Sequence, residues 1–271
     1  MTIVTLLHPG MMGAAVGRQA VRAGATVRWV AAARSAATRK RAGDAGLEEF
    51  ADLCAAVESA DVVLSICPPA HAEDVARAVA GYSGIFVEAN AIAPARAQRI
   101  AALLPDARVV DGGIIGAPPY VRGTTRLYLS GDADGVPELF DDTALEIIRI
   151  SGGIGRASAL KMAYASYQKA SRVLAAVAHA LATEHGVDEY LMREADLLRS
   201  FPLADIDHFP GAAARAWRWA PEMREAADTL RDAALPTELA LGAATALERW
   251  TSAKDRDDLS VAEALGLLGG H

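Results

Sequence analysis

Hydrophobic residues gather in the first part of the chain into short β-branched runs, Ile3–Leu7, Thr26–Val30, Asp61–Ile66, Ile85–Glu88, Arg108–Asp111 and Arg126–Ser130, with alanine-rich helical stretches between them. The early runs show little polar alternation, as expected of parallel strands covered on both faces. Strands interleaved with helices predict βαβ units in a doubly wound sheet. The texture changes near residue 155. After Gly152-Gly153-Ile154-Gly155 the strand signals stop, and from Ser158 to His185 there is neither Gly nor Pro. Apolar or small residues recur there at Leu160, Tyr164, Tyr167, Ser171, Leu174, Val177 and Leu181. That spacing of three and four predicts one helix of roughly 40 Å, stopped by Gly186. Met162 and Val173 fall outside the stripe, so the helix is apolar around much of its circumference and needs cover on more than one side. A second subunit packed on this helix is the expected solution, a homodimer.

Composition narrows the classes. Of 271 residues, 52% are hydrophobic and 23% charged, too apolar for a disordered chain. Lys and Arg number 27 against 34 Asp and Glu, a net charge of -7. No broad basic field exists to attract nucleic acid or anionic lipid, so neither is an expected partner. The one dense basic stretch, Arg34, Arg39, Lys40 and Arg41, suits a single small phosphate. Cys54 and Cys67 are too few for a disulfide scaffold and form no Cys/His cluster, so no metal site is expected. Both are flanked by apolar residues and are expected to be buried. The N-terminus lacks the basic flank of a signal peptide, and no run of about 18 apolar residues predicts a membrane span. The expected location is the cytoplasm.

The turn after the first strand carries the first chemistry. In Leu7-His8-Pro9-Gly10-Met11-Met12-Gly13 the two glycines occupy the second and third places of a GxGxxG pattern, with His8 at the first. A dinucleotide site needs glycine where the backbone approaches the pyrophosphate, and a helix N-terminus to receive the anion. Position supports it, because the turn follows a strand and opens a helix near the N-terminus. His8 itself is expected to be a turn residue. The second strand then runs into Ala31-Ala32-Ala33-Arg34-Ser35 without the acid that would meet a free ribose 2′-hydroxyl. Arg34 and Ser35, with Thr38 and Arg39, are placed to receive a 2′-phosphate instead, which predicts NADP(H) over NAD(H).

These segments resemble the β-hydroxyacid dehydrogenase and 6-phosphogluconate dehydrogenase-like superfamily, to which the imine reductases are related. Gly10-Met11-Met12-Gly13 resembles its glycine motif and Ala60-Asp61-Val62-Val63-Leu64-Ser65 its third-strand motif. Asp111-Gly112-Gly113-Ile114-Ile115-Gly116 lies where the family has its substrate-binding glycine segment, and Gly152 to Lys161 resembles the entry to its interdomain helix. Arg122 to Gly131 and Ala159 to Ala165 look most like a branch with a phosphogluconate-dehydrogenase-like C-terminal domain. The resemblance covers nearly the whole chain. It implies a Rossmann-like α/β domain over 1–155, an all-helical substrate and dimerisation domain over 156–271, and a cleft between them.

The resemblance also implies that Lys161 is the general acid/base, a role suited to a desolvated amine. Helical spacing places Lys161, Tyr164, Gln168 and Arg172 on one polar stripe, with Tyr164 sharing proton delivery. His8, Pro9, Gly10, Met11, Met12, Gly13, Arg34, Ser35, Cys67, Pro68 and Asn90 form the expected cofactor set. Ile115, Gly116, Gln168 and Trp217 form the expected substrate set. Three family groups are changed. The substrate-binding Ser becomes Ile115, the Asn four places after the lysine becomes Ala165, and the later Lys-Asp pair is not evident near Trp219-Ala220-Pro221-Glu222. A plain 3-hydroxyacid then fits poorly, and a bulkier or less acidic carbonyl or imine fits better. Tyr120, Trp217 and Trp219 either line such a pocket or serve core and dimer packing. The expected function is NADP-dependent reduction or oxidation of a small carbonyl or hydroxy compound. An imine reductase and a non-catalytic NADPH sensor are the alternatives.

Overall fold

The computed structural model describes residues 1–184, 186–197, 205–232 and 234–269, without the side chains at 177, 178, 181 and 184. The chain divides into two compact units, Met1–Lys161 and Met162–His271.

The first unit is built on eight strands: β1 (Ile3–Leu6), β2 (Thr26–Val30), β3 (Glu48–Phe50), β4 (Val62–Ser65), β5 (Ile85–Glu88), β6 (Arg108–Gly116), β7 (Thr125–Ser130) and β8 (Leu145–Arg149). Five helices connect the first six: α1 (Met11–Arg22), α2 (Ala36–Asp44), α3 (Leu53–Glu58), α4 (Ala72–Arg77) and α5 (Pro94–Leu103). The sheet order is β3-β2-β1-β4-β5-β6-β7-β8. Strands β1 to β6 are parallel, β7 is antiparallel to β6, and β8 is parallel to β7. A short loop from Gly116 to Thr125 permits only the antiparallel return. Strand order reverses between β1 and β4, the place where open α/β sheets bind ligands beyond the carboxyl ends of their strands.

Each strand serves two faces. Val62 and Leu64 join a core with Val16, Trp29 and Leu127, while Val63 joins Phe86, Ile100 and Leu104 on the other side. Two strands escape the hydrophobic pattern. β3 is an edge strand of three residues, two of them exposed acids, and the far edge β8 buries little beyond Leu145. β6 runs past the predicted end at Asp111, because Gly112 to Gly116 continue to pair with β7. Cys54 is a correction, being exposed. Asp52 caps α3, whose inward side is filled by Ala56 and Val57, leaving Cys54 facing solvent.

Helix α6 (Arg156–Glu184) starts in the first unit and continues into the second, where α7 (Asp188–Leu197), α8 (His208–Asp232), α9 (Glu238–Glu248) and α10 (Val261–Gly269) follow. The second unit's core sets Val173, Phe209, Met223, Leu247 and Trp250 among many alanines. The Trp250 indole N–H is satisfied by the Ala264 carbonyl at 2.6 Å. Along α6, Leu160, Tyr164, Tyr167 and Leu174 are exposed, at 36%, 39%, 68% and 58%. Of the other predicted stripe positions, Ser171 is half-buried, and Val177 and Leu181 have side chains outside the described residues. No helix among the described residues is long and apolar enough to cross a membrane.

Candidate active site

The turn from β1 into α1 is shaped by two glycines. Gly10 stands at the helix N-cap in extended conformation with no side-chain cap, so the first-turn N–H groups are left for an anion. A Cβ at Gly13 would lie 2.3 Å from the His8 carbonyl oxygen, so only glycine lets α1 pack this close to the turn. Gly17, which the sequence reading did not single out, has a similar role, since its Cβ would come within 3.1 Å of Leu47. Met11 projects into solvent, whereas Met12 packs against the core.

Beyond the ends of β1, β2 and β4 lies a hollow of about 540 Å³ lined by His8, Val30, Arg34, Cys67, Pro68 and His71, among others. Its charged lining residues are Arg34 and Asp74. The Arg34 guanidinium donates to His8 Nδ1 at 3.0 Å and reaches the Leu7 carbonyl at 3.5 Å. Arg41 donates to the Pro9 carbonyl at 3.3 Å. Burial first, and then Arg34, Arg41 and His71, lower the His8 pKa and favour a neutral imidazole. Ser35 caps α2 by accepting the Thr38 N–H. Arg39 is committed elsewhere, to Glu49 at 2.7 Å and the Ala31 carbonyl at 3.0 Å. Arg34 is thus the arginine that lines the hollow, with Arg41 held on the Pro9 carbonyl.

The Cys67 wall is fixed from behind. Buried Asn90 accepts the Cys67 N–H, donates to Ser65 Oγ at 3.0 Å, and gives its own N–H to Glu88 at 3.0 Å. Cys67 is half-buried, and desolvation pushes its thiol up to about 12. It is a wall residue, not a nucleophile. Glu88 is fully buried and its carboxyl is pushed up to about 8, mainly by burial.

Lys161 occupies a second locus, where the start of α6 packs on β6. A Cβ at Gly113 would lie 2.8 Å from the Ala157 carbonyl and 3.2 Å from Lys161 Cβ, so the glycine gives this helix its seat. Asp111, Ser130 and Ser158, none predicted as site residues, tie the same turn down through buried hydrogen bonds. Ile115 is buried within the sheet, and Gly116 turns the chain at φ +123°. A side chain at Gly116 would meet the Thr124 backbone.

The remaining predicted residues belong to the second unit. Tyr164 is partly exposed on α6, and Gln168 is half-buried with its carbonyl accepting from Arg172 at 2.9 Å. The Trp217 indole N–H donates to Asp255 at 3.2 Å, with Lys254 4.3 Å from the ring centre. Lys169, which the sequence reading passed over, forms a buried 2.5 Å ion pair with Glu222 beside Trp219. A further hollow of about 420 Å³ near Arg122, Phe140 and Ile147 contains none of the predicted site residues.

Residues 4–87 match a family described as NADP oxidoreductase, coenzyme F420-dependent, and residues 182–250 match a domain of unknown function, DUF1932. An uncharacterised 28.5 kDa protein of Methanothermus fervidus is 28% identical over 160 residues, 58% of this chain and 62% of that protein. The chain therefore spans about three fifths of that relative's length. The Mycobacterium tuberculosis 3-hydroxyisobutyrate dehydrogenase, solved with L-serine, superposes with a TM-score of 0.74 at 21% identity, covering 99% of both chains. The Aspergillus terreus reductive aminase, solved with NADPH and ethyl levulinate, gives 0.58 at 20% identity, covering 98% of this chain and 99% of that one. This chain has the fold of the 3-hydroxyacid dehydrogenases, in line with the resemblance read from its sequence.

Proposed function

We propose that this chain is an NADP(H)-dependent oxidoreductase acting on a small carbonyl or hydroxy compound. The observation that carries the reading is the cationic, acid-free end of β2: Arg34, backed by Arg41 and His71, at the rim of a hollow beside the Gly13 turn. The residues fit the cofactor. Gly10 to Gly13 and the start of α1 would hold the pyrophosphate, and Arg34 with Ser35 the 2′-phosphate. Neutral His8 accepts a hydrogen bond from Arg34 and orients the guanidinium. Cys67 and Pro68 wall the nucleotide, and Asn90 keeps that wall in place. NADPH, when bound, supplies the reducing equivalent.

Lys161 gives a proton to the substrate oxygen in reduction and takes it back in oxidation, with Tyr164 assisting. Ile115, Gly116, Gln168 and Trp217 are the proposed substrate-binding residues. Ile115 and Ala165 present no hydrogen-bonding side chain, which favours a less acidic carbonyl and supports reductive amination or imine reduction as the second reading. The division of labour follows the chain: residues 1–155 bind cofactor, and 156–271 bind substrate and dimerise. The exposed stripe Leu160, Tyr164, Tyr167 and Leu174 supports a homodimer through α6. A cytoplasmic location belongs to the same proposal.

Titration calorimetry tests the cofactor. NADPH is expected to bind at least tenfold tighter than NADH, about 1.4 kcal/mol, and Arg34→Ala to remove most of that gap. Equal affinities in the parent would defeat the reading. A screen of carbonyls beside cyclic imines, followed at the nicotinamide absorbance, separates the two substrate classes. NADPH binding without turnover of any would favour the non-catalytic sensor.

A further inference from the structure

We propose that Asp111 is the positioning residue for Lys161, a buried carboxylate that clamps the first turn of α6 to β6. The proposal rests on the reading of Lys161 as the proton-transfer group. Asp111 is fully buried and spends both oxygens on this one turn. Its Oδ2 accepts the N–H groups of Gly155 at 2.9 Å and Ser158 at 3.0 Å, and the Ser130 hydroxyl at 2.9 Å. Its Oδ1 accepts the Ser158 hydroxyl at 2.5 Å. Ser130 in turn accepts the Ala157 N–H at 3.0 Å. The N–H groups at a helix start have no partner within the helix. Here three of them end on one carboxylate and on one hydroxyl that it orients.

Lys161 lies three residues beyond Ser158, nearly one turn further along. Its Cβ sits over the space that Gly113 leaves open. The lysine is thus held from the helix start by Asp111 and from the sheet by Gly113, the two contributed by one strand two residues apart. The arrangement also sets charge. Ser65, Glu88, Asp111 and Ser130 lie in register across β4 to β7, all buried. Glu88 retains its proton to about pH 8, and beside it in the row stands Asp111. Its charge faces the positive end of α6.

A buried charge roughly 5–10 Å from an amine raises that amine's pKa by about one to two units at an effective dielectric of ~20. Asp111→Asn therefore lowers the Lys161 pKa by about that much. The substituted amide also turns donors toward N–H groups and loosens the turn. The test uses the full chain with NADPH bound. Acetic anhydride labelling across a pH series, read by peptide mass spectrometry, gives the Lys161 titration, with exposed Lys40 as internal reference. Amide hydrogen exchange reads residues 155–161.

In Asp111→Asn the Lys161 midpoint is expected to fall by about one to two pH units, exchange at 155–161 to rise several-fold, and NADPH affinity to stay within about twofold. Ser158→Ala keeps the charge and the fold while losing one bond. It is expected to speed exchange over 155–161 and leave the Lys161 midpoint in place. An unchanged Lys161 titration in Asp111→Asn, even with a lowered melting temperature, would make Asp111 merely structural and overturn the proposal. If Asp111→Asn does not fold, unchanged exchange in Ser158→Ala overturns it. The catalytic reading fails separately, by retained turnover in Lys161→Ala, and that result leaves the labelling outcome untouched.

Discussion

Glu88→Gln should make the protein more stable in alkaline solution while changing little in acid. Glu88 is fully buried; one carboxyl oxygen accepts the Asn90 N–H at 3.0 Å, and the other has no hydrogen-bond partner among the described residues. Burial is the main cause that moves its pKa from 4.5 to about 8; the Asn90 bonds pull it down, and the charge of Asp111 adds to the rise. In the native state the group keeps its proton through a range where the unfolded chain has released it. Stability therefore falls as pH rises from 4.5 towards 8 and levels off above. At about 1.4 kcal/mol per pH unit the whole window is worth about 5 kcal/mol, of which about 4 lies between pH 5 and 9. The glutamine has nearly the same shape. Its carbonyl takes the Asn90 N–H, and its amide replaces the neutral acid's hydroxyl. Urea unfolding of parent and variant at pH 5, 7 and 9 should give similar stabilities at pH 5 and a gap of about 4 kcal/mol in the variant's favour at pH 9. A gap that stays constant across those pH values would refute the assignment of a buried, proton-retaining Glu88.

Gly13→Ala puts a methyl group 2.3 Å from the His8 carbonyl oxygen. It should cost about 1–3 kcal/mol in urea unfolding and weaken NADPH binding at least tenfold by fluorescence titration. Lys161→Ala should lower turnover by roughly 10²–10⁴-fold with NADPH affinity nearly unchanged, measured by steady-state kinetics and calorimetry; a variant with parental turnover would move the chemistry to Tyr164. Leu174→Glu places a charge on the exposed stripe of α6. Light scattering should show the parent at about twice 28.3 kDa and the variant shifted towards a single chain; a parent near 28.3 kDa would remove the dimer.

Strands β2 and β5 could be read to the residue because β-branched and aromatic residues fill them, burying Val27 and Trp29 in the one and Phe86 to Glu88 in the other. Edge strands gave no such pattern: β3 carries exposed Glu48 and Glu49, and its hydrogen bonds to β2 are backbone chemistry that side-chain type does not report. Gly112-Gly113 read as the end of a strand, but the glycines mark close packing against Ala89 on one side and Ala157 on the other. The pocket residues His8, Arg34, Cys67 and Pro68 were legible because they sit just beyond the ends of β1, β2 and β4, which parallel pairing sets side by side. Asp111 and Ser158 meet across 47 positions of sequence, and neither residue type announces the other. Cys54 misled for the opposite reason. Apolar neighbours in sequence are not neighbours in space on a one-and-a-half-turn helix.

Gln19 has consequences for anyone redesigning this scaffold. It lies buried on α1, and its amide is used at both ends, donating to the Pro119 carbonyl at 2.7 Å and accepting the Ala144 N–H at 3.1 Å. One side chain thus splices the helix behind the glycine turn to two loops 100 and 125 residues away. Those loops precede β7 and β8, so a library that randomises 117–124 or shortens 137–144 also alters the support of α1. Position 19 behaves as a keystone. Glutamate there would keep the acceptor for Ala144 but point an anion at the Pro119 oxygen, and leucine would strand two backbone groups without partners. Loop grafts that preserve the carbonyl at 119 and the N–H at 144 leave the keystone seated, and the exposed Tyr120 and Val121 beside it are the positions open to variation.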